Sequence, residues 1–271
     1  MPPAAVAERL GPRSTALNPT IEIQSLSKTF QVGGGTLRAL QDINVSVNAG
    51  EFVAFVGPSG CGKSTLLGVV AGLLYPTSGN VLLEGEVVTE PSRNVGFMFQ
   101  SPVLLPWRSV EKNVLLPAEV FGVDVKAYRK KAREIIRAVG LDEFVDAYPH
   151  QLSGGMQQRV ALARVLAAQP GILLMDEPFG ALDEFTREAM NLELMRITQS
   201  LGIAVLFVTH NIAEAVFLAD RVVVMTPRPG KVSGIVEVGL PRPRKIEMMR
   251  EAKFADLAFE VRGLLGMQGE D

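Results

Sequence analysis

Apolar residues fall into two kinds of run along this chain. Near the start, Ile21 and Ile23 alternate with polar neighbours, and Ile43, Val45 and Val47 flank Asn44 and Ser46. A period of two marks strands with one face in a core and one turned outward. Gly33-Gly34-Gly35 between them reads as a hairpin turn or loop. Later runs are continuous: Phe52–Val56, Val95–Phe99, Ile172–Met175, Ala204–Val208 and Arg221–Met225. Strands that are apolar on both faces need cover on both faces, which is the habit of parallel sheets with crossover helices.

From about Ser101 to Ala168 no strand pattern appears. Val125, Tyr128, Ala132, Ile135, Ile136 and Val139 recur at helical spacing, with Arg129, Lys130, Arg133, Glu134 and Arg137 on other faces. Asp124 fits an N-cap and Gly140 a stop. The expectation is therefore an α/β fold with a helical subdomain, residues 101–168, inserted in it. Residues 20–240 form the main domain and 241–271 a C-terminal basic segment with an amphipathic helix (Phe254, Leu257, Ala258, Val261, Leu264, Leu265). That helix either packs on the main body or binds a partner. Residues 1–19, rich in Pro and Ala, read as a loose tail without the apolar core of a secretory signal.

Composition narrows the classes. Of 271 residues, 47% are hydrophobic and 21% charged, which excludes a disordered chain. Lys plus Arg is 27 against 29 for Asp plus Glu, a net charge of −2, so a basic nucleic-acid binder is not the default and no nucleic-acid partner is expected. The single cysteine, Cys61, excludes an internal disulfide and a Cys-rich zinc site. No apolar run approaches the 18 or more residues of a membrane span. Any tie to a membrane then runs through a partner protein.

Three motifs carry chemistry. Gly57-Pro58-Ser59-Gly60-Cys61-Gly62-Lys63-Ser64-Thr65 matches G-x-x-x-x-G-K-[ST] between the strand Phe52–Val56 and a helix over Leu66 to Gly72. Glycines let backbone N–H groups converge on phosphate oxygens, and the helix N-terminus adds positive potential. Lys63 reaches the β- and γ-phosphates and Ser64 offers a hydroxyl to Mg²⁺. Second, Ile172-Leu-Leu-Met-Asp176-Glu177-Pro178 sets two carboxylates at the end of an apolar strand. Asp176 suits the Mg²⁺ shell and Glu177 the deprotonation of an attacking water. Third, in Leu152-Ser153-Gly154-Gly155-Met156-Gln157-Gln158-Arg159, a serine followed by glycines opens a helix and makes a second anion site. Cys61 has no base beside it for nucleophilic work. Its place in the phosphate loop leads to the expectation that alkylation blocks activity by bulk.

The order of these motifs, with Gln100, Ala181-Leu182-Asp183 and His210 after a strand, resembles the ATP-binding cassette (ABC) ATPases over about residues 20–240. The resemblance implies a P-loop NTPase core with a parallel sheet, an N-terminal antiparallel β subdomain and an inserted helical subdomain. It implies ATP and Mg²⁺ as ligands. Phe30 resembles the aromatic that stacks on adenine, Gln100 the residue sensing Mg²⁺ and the attacking water, and His210 the switch histidine near the γ-phosphate. Ser64, Gln100 and Asp176 are the implied metal ligands. Ser153, Gly154, Gly155 and Gln157 are implied to complete the ATP site of an opposite subunit, with Asp183 as a dimer contact. His150 stays with a structural hydrogen bond.

Within that family, the segment between Lys63 and Asp176 lacks the heptads of chromosome-type members, and the chain carries one cassette where translation-type members carry two. A transporter subunit remains, with a non-transport regulatory cassette as the alternative. The run Phe97-Met-Phe-Gln-Ser-Pro-Val-Leu-Leu-Pro-Trp107-Arg-Ser-Val-Glu-Lys-Asn113-Val, the Ala181-Leu-Asp-Glu-Phe-Thr-Arg187-Glu run and the tail Leu240-Pro-Arg-Pro-Arg244 resemble the nitrate, sulfonate and taurine importers. In such importers the surface after Gln100 receives the membrane subunit; Leu104 and Leu105 read equally as plain core. The implied partners are a second cassette, identical or paired, polytopic permease subunits and, indirectly, an extracytoplasmic solute-binding protein. The implied location is peripheral, on the cytoplasmic face of the inner membrane.

Overall fold

A computed structural model describes residues 19–180 and 182–266. Chain order is β1 (Ile21–Val32), β2 (Gly35–Val47), β3 (Phe52–Val56), α1 (Lys63–Val70), β4 (Ser78–Leu83), β5 (Glu86–Val87), β6 (Val95–Met98), α2 (Val110–Val114), α3 (Leu116–Phe121), α4 (Val125–Ala138), α5 (Gly154–Ala167), β7 (Ile172–Asp176), α6 (Glu184–Leu201), β8 (Ala204–Thr209), α7 (Ile212–Leu218), β9 (Arg221–Met225), β10 (Val232–Glu237) and α8 (Ala252–Leu264). Short 3₁₀ turns lie between α4 and α5 and before α8.

Two sheets form. The first, β2-β1-β4-β5, is antiparallel. The β1–β2 hairpin turns through Gly33 and Gly34, both at positive φ, as a two-residue hairpin loop requires. The second sheet runs β10-β9-β3-β8-β7-β6, parallel except for β10. Its strands are the continuous apolar runs, and the reason is visible in the packing. Phe52, Ala54 and Val56 point into one core with α2, α4, α5, α6, α7 and α8. Val53 and Phe55 point into another, with α1 and the antiparallel sheet. Each face is covered, so neither face tolerates polar residues.

Among the described residues 101–168 no strand forms, and the regular elements are α2 to α5 with short 3₁₀ turns. Asp124 caps α4 by accepting from Lys126 N at 2.9 Å, and Gly140 follows the helix at positive φ. The strands β4, β5 and β10 were not anticipated: β4 and β10 are half-exposed and carry a glycine, β5 is two exposed residues, and β4 finds its partner β1 far back in the sequence. Gly79 in β4 shows why glycine is needed there, since a Cβ would lie 2.3 Å from Ser25 O. The C-terminal helix packs on the main body, burying Phe254, Leu257 and Val261. The basic segment before it is drawn inward. Arg244, buried, donates from Nη1 to Val216 O, Phe217 O and Ala219 O at 3.1, 2.8 and 2.8 Å. Arg242 Nη2 adds Leu218 O at 2.9 Å and pairs with Asp220. Two cations thus satisfy the free carbonyls at the C-terminus of α7. No helix among the described residues is long and apolar enough to cross a membrane. The expectation of a tail over 1–19 lies, but for Pro19, outside the described residues.

Candidate active site

The parallel strands of the larger sheet end together, and their register decides what meets. Val56 pairs with Thr209 and Val224, Asp176 with Val208, and Met98 with Met175. The residues just beyond those ends are the phosphate loop after β3, Gln100 after β6, Asp176 and Glu177 at the end of β7, His210 after β8 and the Thr226–Gly230 loop after β9. The carboxyl edge of an open parallel sheet is where α/β folds bind ligands.

The phosphate loop wraps toward its own lysine. Lys63 Nζ, buried, donates to Gly57 O at 2.7 Å and Pro58 O at 3.1 Å. Gly62 sits at φ 110, and a Cβ there would lie 2.8 Å from Leu40 Cδ2 and 2.9 Å from Ala39 O, so this position requires glycine. A cleft of about 370 Å³ opens beside the loop. Phe30, Leu37 and Ala39 form one wall, and Ser59, Gly60, Gly62, Lys63, Ser64 and Thr65 the floor; Gln100, Glu177 and Arg228 border it. Lys28 Nζ stands 5.0 Å from the centroid of the Phe30 ring, a cation–π contact on the same hairpin.

Glu177 is held in an uncommon backbone state, φ 44, which costs about 1–3 kcal/mol in a residue with a Cβ. Its N–H donates to Val208 O at 2.9 Å, tying it to the next strand. Its carboxylate Oε2 lies 3.0 Å from His210 Nδ1. With Glu177 ionised, that bond puts the histidine proton on Nδ1. Burial pushes the Asp176 carboxyl above the usual aspartate range and the Glu177 charge adds to it, while the Ser64 hydroxyl and Lys63 pull it down. A half-buried carboxylate facing a serine hydroxyl supplies the hard oxygen donors that Mg²⁺ takes.

Other expected site residues lie apart from this cleft. Ser153, Gly154, Gly155 and Gln157 open α5, where Ser153 Oγ accepts from Met156 N at 3.3 Å; none of them lines the cleft. Gln157 Nε2 is committed to Pro149 O and Leu152 O. Asp183 caps α6, accepting from Thr186 N at 3.0 Å, and its hydrogen bonds with Thr186 hold its carboxyl below the usual aspartate range. Ala181 lies outside the described residues. Cys61 belongs to the phosphate loop, but its side chain is not part of the cleft lining. Its side chain is only 1% exposed and packs in the core beneath the loop, not in the cleft, and a Cβ at Gly57 would be 2.9 Å from its Sγ. Bulk attached there meets core atoms, not nucleotide. Leu104 also turns inward onto the core, and the exposed apolar surface is carried by Phe99, Val103, Trp107 and Val120. Asn113, fully buried, builds that surface: it bonds Leu105 N, Leu105 O, Arg108 O and Ser109 O, folding the turn that leaves Trp107 71% exposed.

Several residues were not anticipated. Gln158, buried in α5, donates to Gln100 O at 2.7 Å, and Arg164 donates to Val103 O and Pro102 O, so the helix opened by Ser153 grips the segment that follows β6. Gln158 was findable: it shares a helical face with Ala161, Leu162 and Val165, and a polar residue on an apolar face asks for a partner. Arg187 grips the loop before α6 through Phe179 O and Leu182 O. Buried Glu214 accepts from Thr209 Oγ1 at 2.6 Å, one residue before His210. Arg228 donates from Nε and Nη2 to Gly60 O at 3.1 and 2.9 Å.

Residues 40–180 match the ABC transporter family. The chain is 46% identical over 240 residues to the nitrate import ATP-binding protein NrtC of Synechococcus elongatus, covering 87% of this chain and 36% of that longer relative. It is 44% identical over 225 residues to the aliphatic sulfonates import ATP-binding protein SsuB of Bacillus cereus, covering 83% and 88% of the two chains. Among solved structures, a dimeric ATP-binding cassette in a post-hydrolysis state, bound to ADP and Pi, superposes with a TM-score of 0.74 at 33% identity over 82% of this chain and all of that one. The fold, the phosphate loop at its sheet edge and these matches place the chain in the ABC transporter family, as an ATP-hydrolysing cassette.

Proposed function

We propose that this chain is the ATPase subunit of an importer for a small solute of the nitrate, sulfonate or taurine type, working as a head-to-tail pair of cassettes on separate permease subunits at the cytoplasmic membrane face. The observation that carries the catalytic part is the meeting of Lys63, Ser64, Gln100 and the Glu177–His210 pair at one sheet edge. The solute class rests on the likeness to nitrate and sulfonate import cassettes.

Each residue's task follows from its chemistry. The phosphate-loop N–H groups and Lys63 hold the β- and γ-phosphates, and Phe30 packs against adenine. Ser64, Asp176 and Gln100 hold Mg²⁺, which supplies neutralisation of phosphate charge when bound. Gln100 orients the attacking water, Glu177 accepts its proton, and His210 holds the Glu177 carboxylate in place near the γ-phosphate. Ser153, Gly154, Gly155 and Gln157 of a second copy close the site from the other side, with Asp183 meeting the partner. Residues 101–168 carry that closing surface, and the Phe99–Trp107 face, together with Val120, receives the permease and links closure to transport.

Glu177→Gln is the decisive variant. It is expected to bind ATP as the wild type does and to lose turnover about 10²–10⁴-fold, the usual worth of a general base. Phosphate release at the wild-type rate would overturn the assignment of Glu177.

A further inference from the structure

The Thr226–Gly230 loop has no role in the reading above, yet it is built into the nucleotide cleft. Gly230 N donates to Ala39 O and Gln41 N to Gly230 O, both at 2.9 Å, which fastens the loop to the wall behind the cleft. A Cβ at Gly230 would stand 2.1 Å from Cys61 O, so the loop backbone lies directly on the phosphate loop. Lys231 N donates to Thr226 Oγ1 at 3.1 Å and closes the turn. Arg228 is thereby presented to the cleft that Phe30 also lines, with Nε and Nη2 both spent on Gly60 O. Its Nη1 has no partner among the described residues. Deepening the nucleotide-site reading, on which this rests, we propose that Arg228 is a further nucleotide-contacting residue: anchored on Gly60 O, its guanidinium presents its remaining N–H donors to a phosphate oxygen of the bound nucleotide.

The chemistry favours phosphate. A guanidinium stays charged, and its planar fork suits bidentate donation to phosphate, with one edge left over after the other has bound a carbonyl. The anchor also fixes where the charge sits before any ligand arrives, which lowers the ordering cost of binding. Lys63 is wrapped into its own loop, so Arg228 is a second cation at the same cleft, placed nearer solvent.

The test is calorimetric titration of the full chain with ATP and ADP, for wild type, Arg228→Gln, Arg228→Lys and Lys63→Ala, with the melting temperature of each taken without nucleotide. Arg228→Gln is expected to weaken ATP and ADP binding about tenfold, with its nucleotide-free melting temperature unchanged. Arg228→Lys, which keeps the charge and loses the fork, is expected to fall between. Wild-type affinity in Arg228→Gln would overturn the role of Arg228 alone. So would a loss of affinity matched by a lowered nucleotide-free melting temperature and not recovered in Arg228→Lys, which would reduce Arg228 to a latch on the loop. A wild-type chain that binds no ATP, indistinguishable from Lys63→Ala, would overturn the nucleotide-site reading itself.

Discussion

At the residue scale, identity and environment divide the work. Lys63, Asp176 and Glu177 announce themselves by type and spacing, because phosphate and metal chemistry demands those groups after a strand. Environment is what tells Cys61 from its loop neighbours. Because it is buried, its thiol is expected to react with a maleimide far more slowly in the folded chain than in denaturant, and nucleotide binding is expected to survive Cys61→Ala; rapid labelling of the native chain would contradict the packing described. Glu214 carries a pH signature. Burial pushes its carboxyl above the usual glutamate range, while the hydrogen bonds from Thr209 and Asn191 and the charges of Arg187 and His210 pull the other way. The folded chain therefore holds this proton to a higher pH than the unfolded chain, and the contribution is complete below about pH 4 and lost as pH rises through the raised value. Glu214→Gln removes that titration, so its melting temperature relative to wild type is expected to improve steadily from about pH 4 to pH 7. Parallel curves would show that Glu214 titrates normally.

At the element scale, strands were legible wherever both faces are buried, since a continuous apolar run has few other uses. Strands β4, β5 and β10 were not: β4 alternates weakly and depends on β1 far back in the chain, and β5 and β10 are largely exposed edge strands with few buried positions to mark them. The basic run Arg242–Arg244 shows the same limit. By sequence it is a charged tail; in the fold it caps α7. Burial lowers the Arg244 pKa to about 10, and its three carbonyl bonds compensate that burial. Arg244→Ala leaves those carbonyls short of a donor and is expected to cost about 3 kcal/mol, read as a lower denaturant midpoint. A change below about 0.5 kcal/mol, the usual range for surface substitutions, would mean the cap contributes little.

At the scale of the whole molecule, the distance between two motifs is the informative fact. In the proposed function the phosphate loop and the helix opened by Ser153 both bind phosphate, yet Ser153, Gly154 and Gly155 do not line the cleft. On that proposal, a site split in this way is completed by a second copy. Ser153→Arg is expected to leave ATP affinity of the single chain unchanged and to abolish turnover, and in a Glu177→Gln background to prevent the ATP-dependent dimer seen by light scattering. Retained turnover would argue for a site complete within one chain. The bonds by which α5 holds the segment after β6, Gln158 to Gln100 O and Arg164 to Val103 O, were invisible until the chain was folded. What the sequence determined by itself is the chemistry and the sheet that bears it: motif residues are fixed by the phosphate they serve, and apolar runs by the need to cover both sheet faces. Only the tertiary structure decided which groups meet. It turned Cys61 inward, joined Glu177 to His210, capped α7 with Arg244 and brought Arg228 onto the phosphate loop, because contacts between residues far apart in the chain leave no periodicity to read.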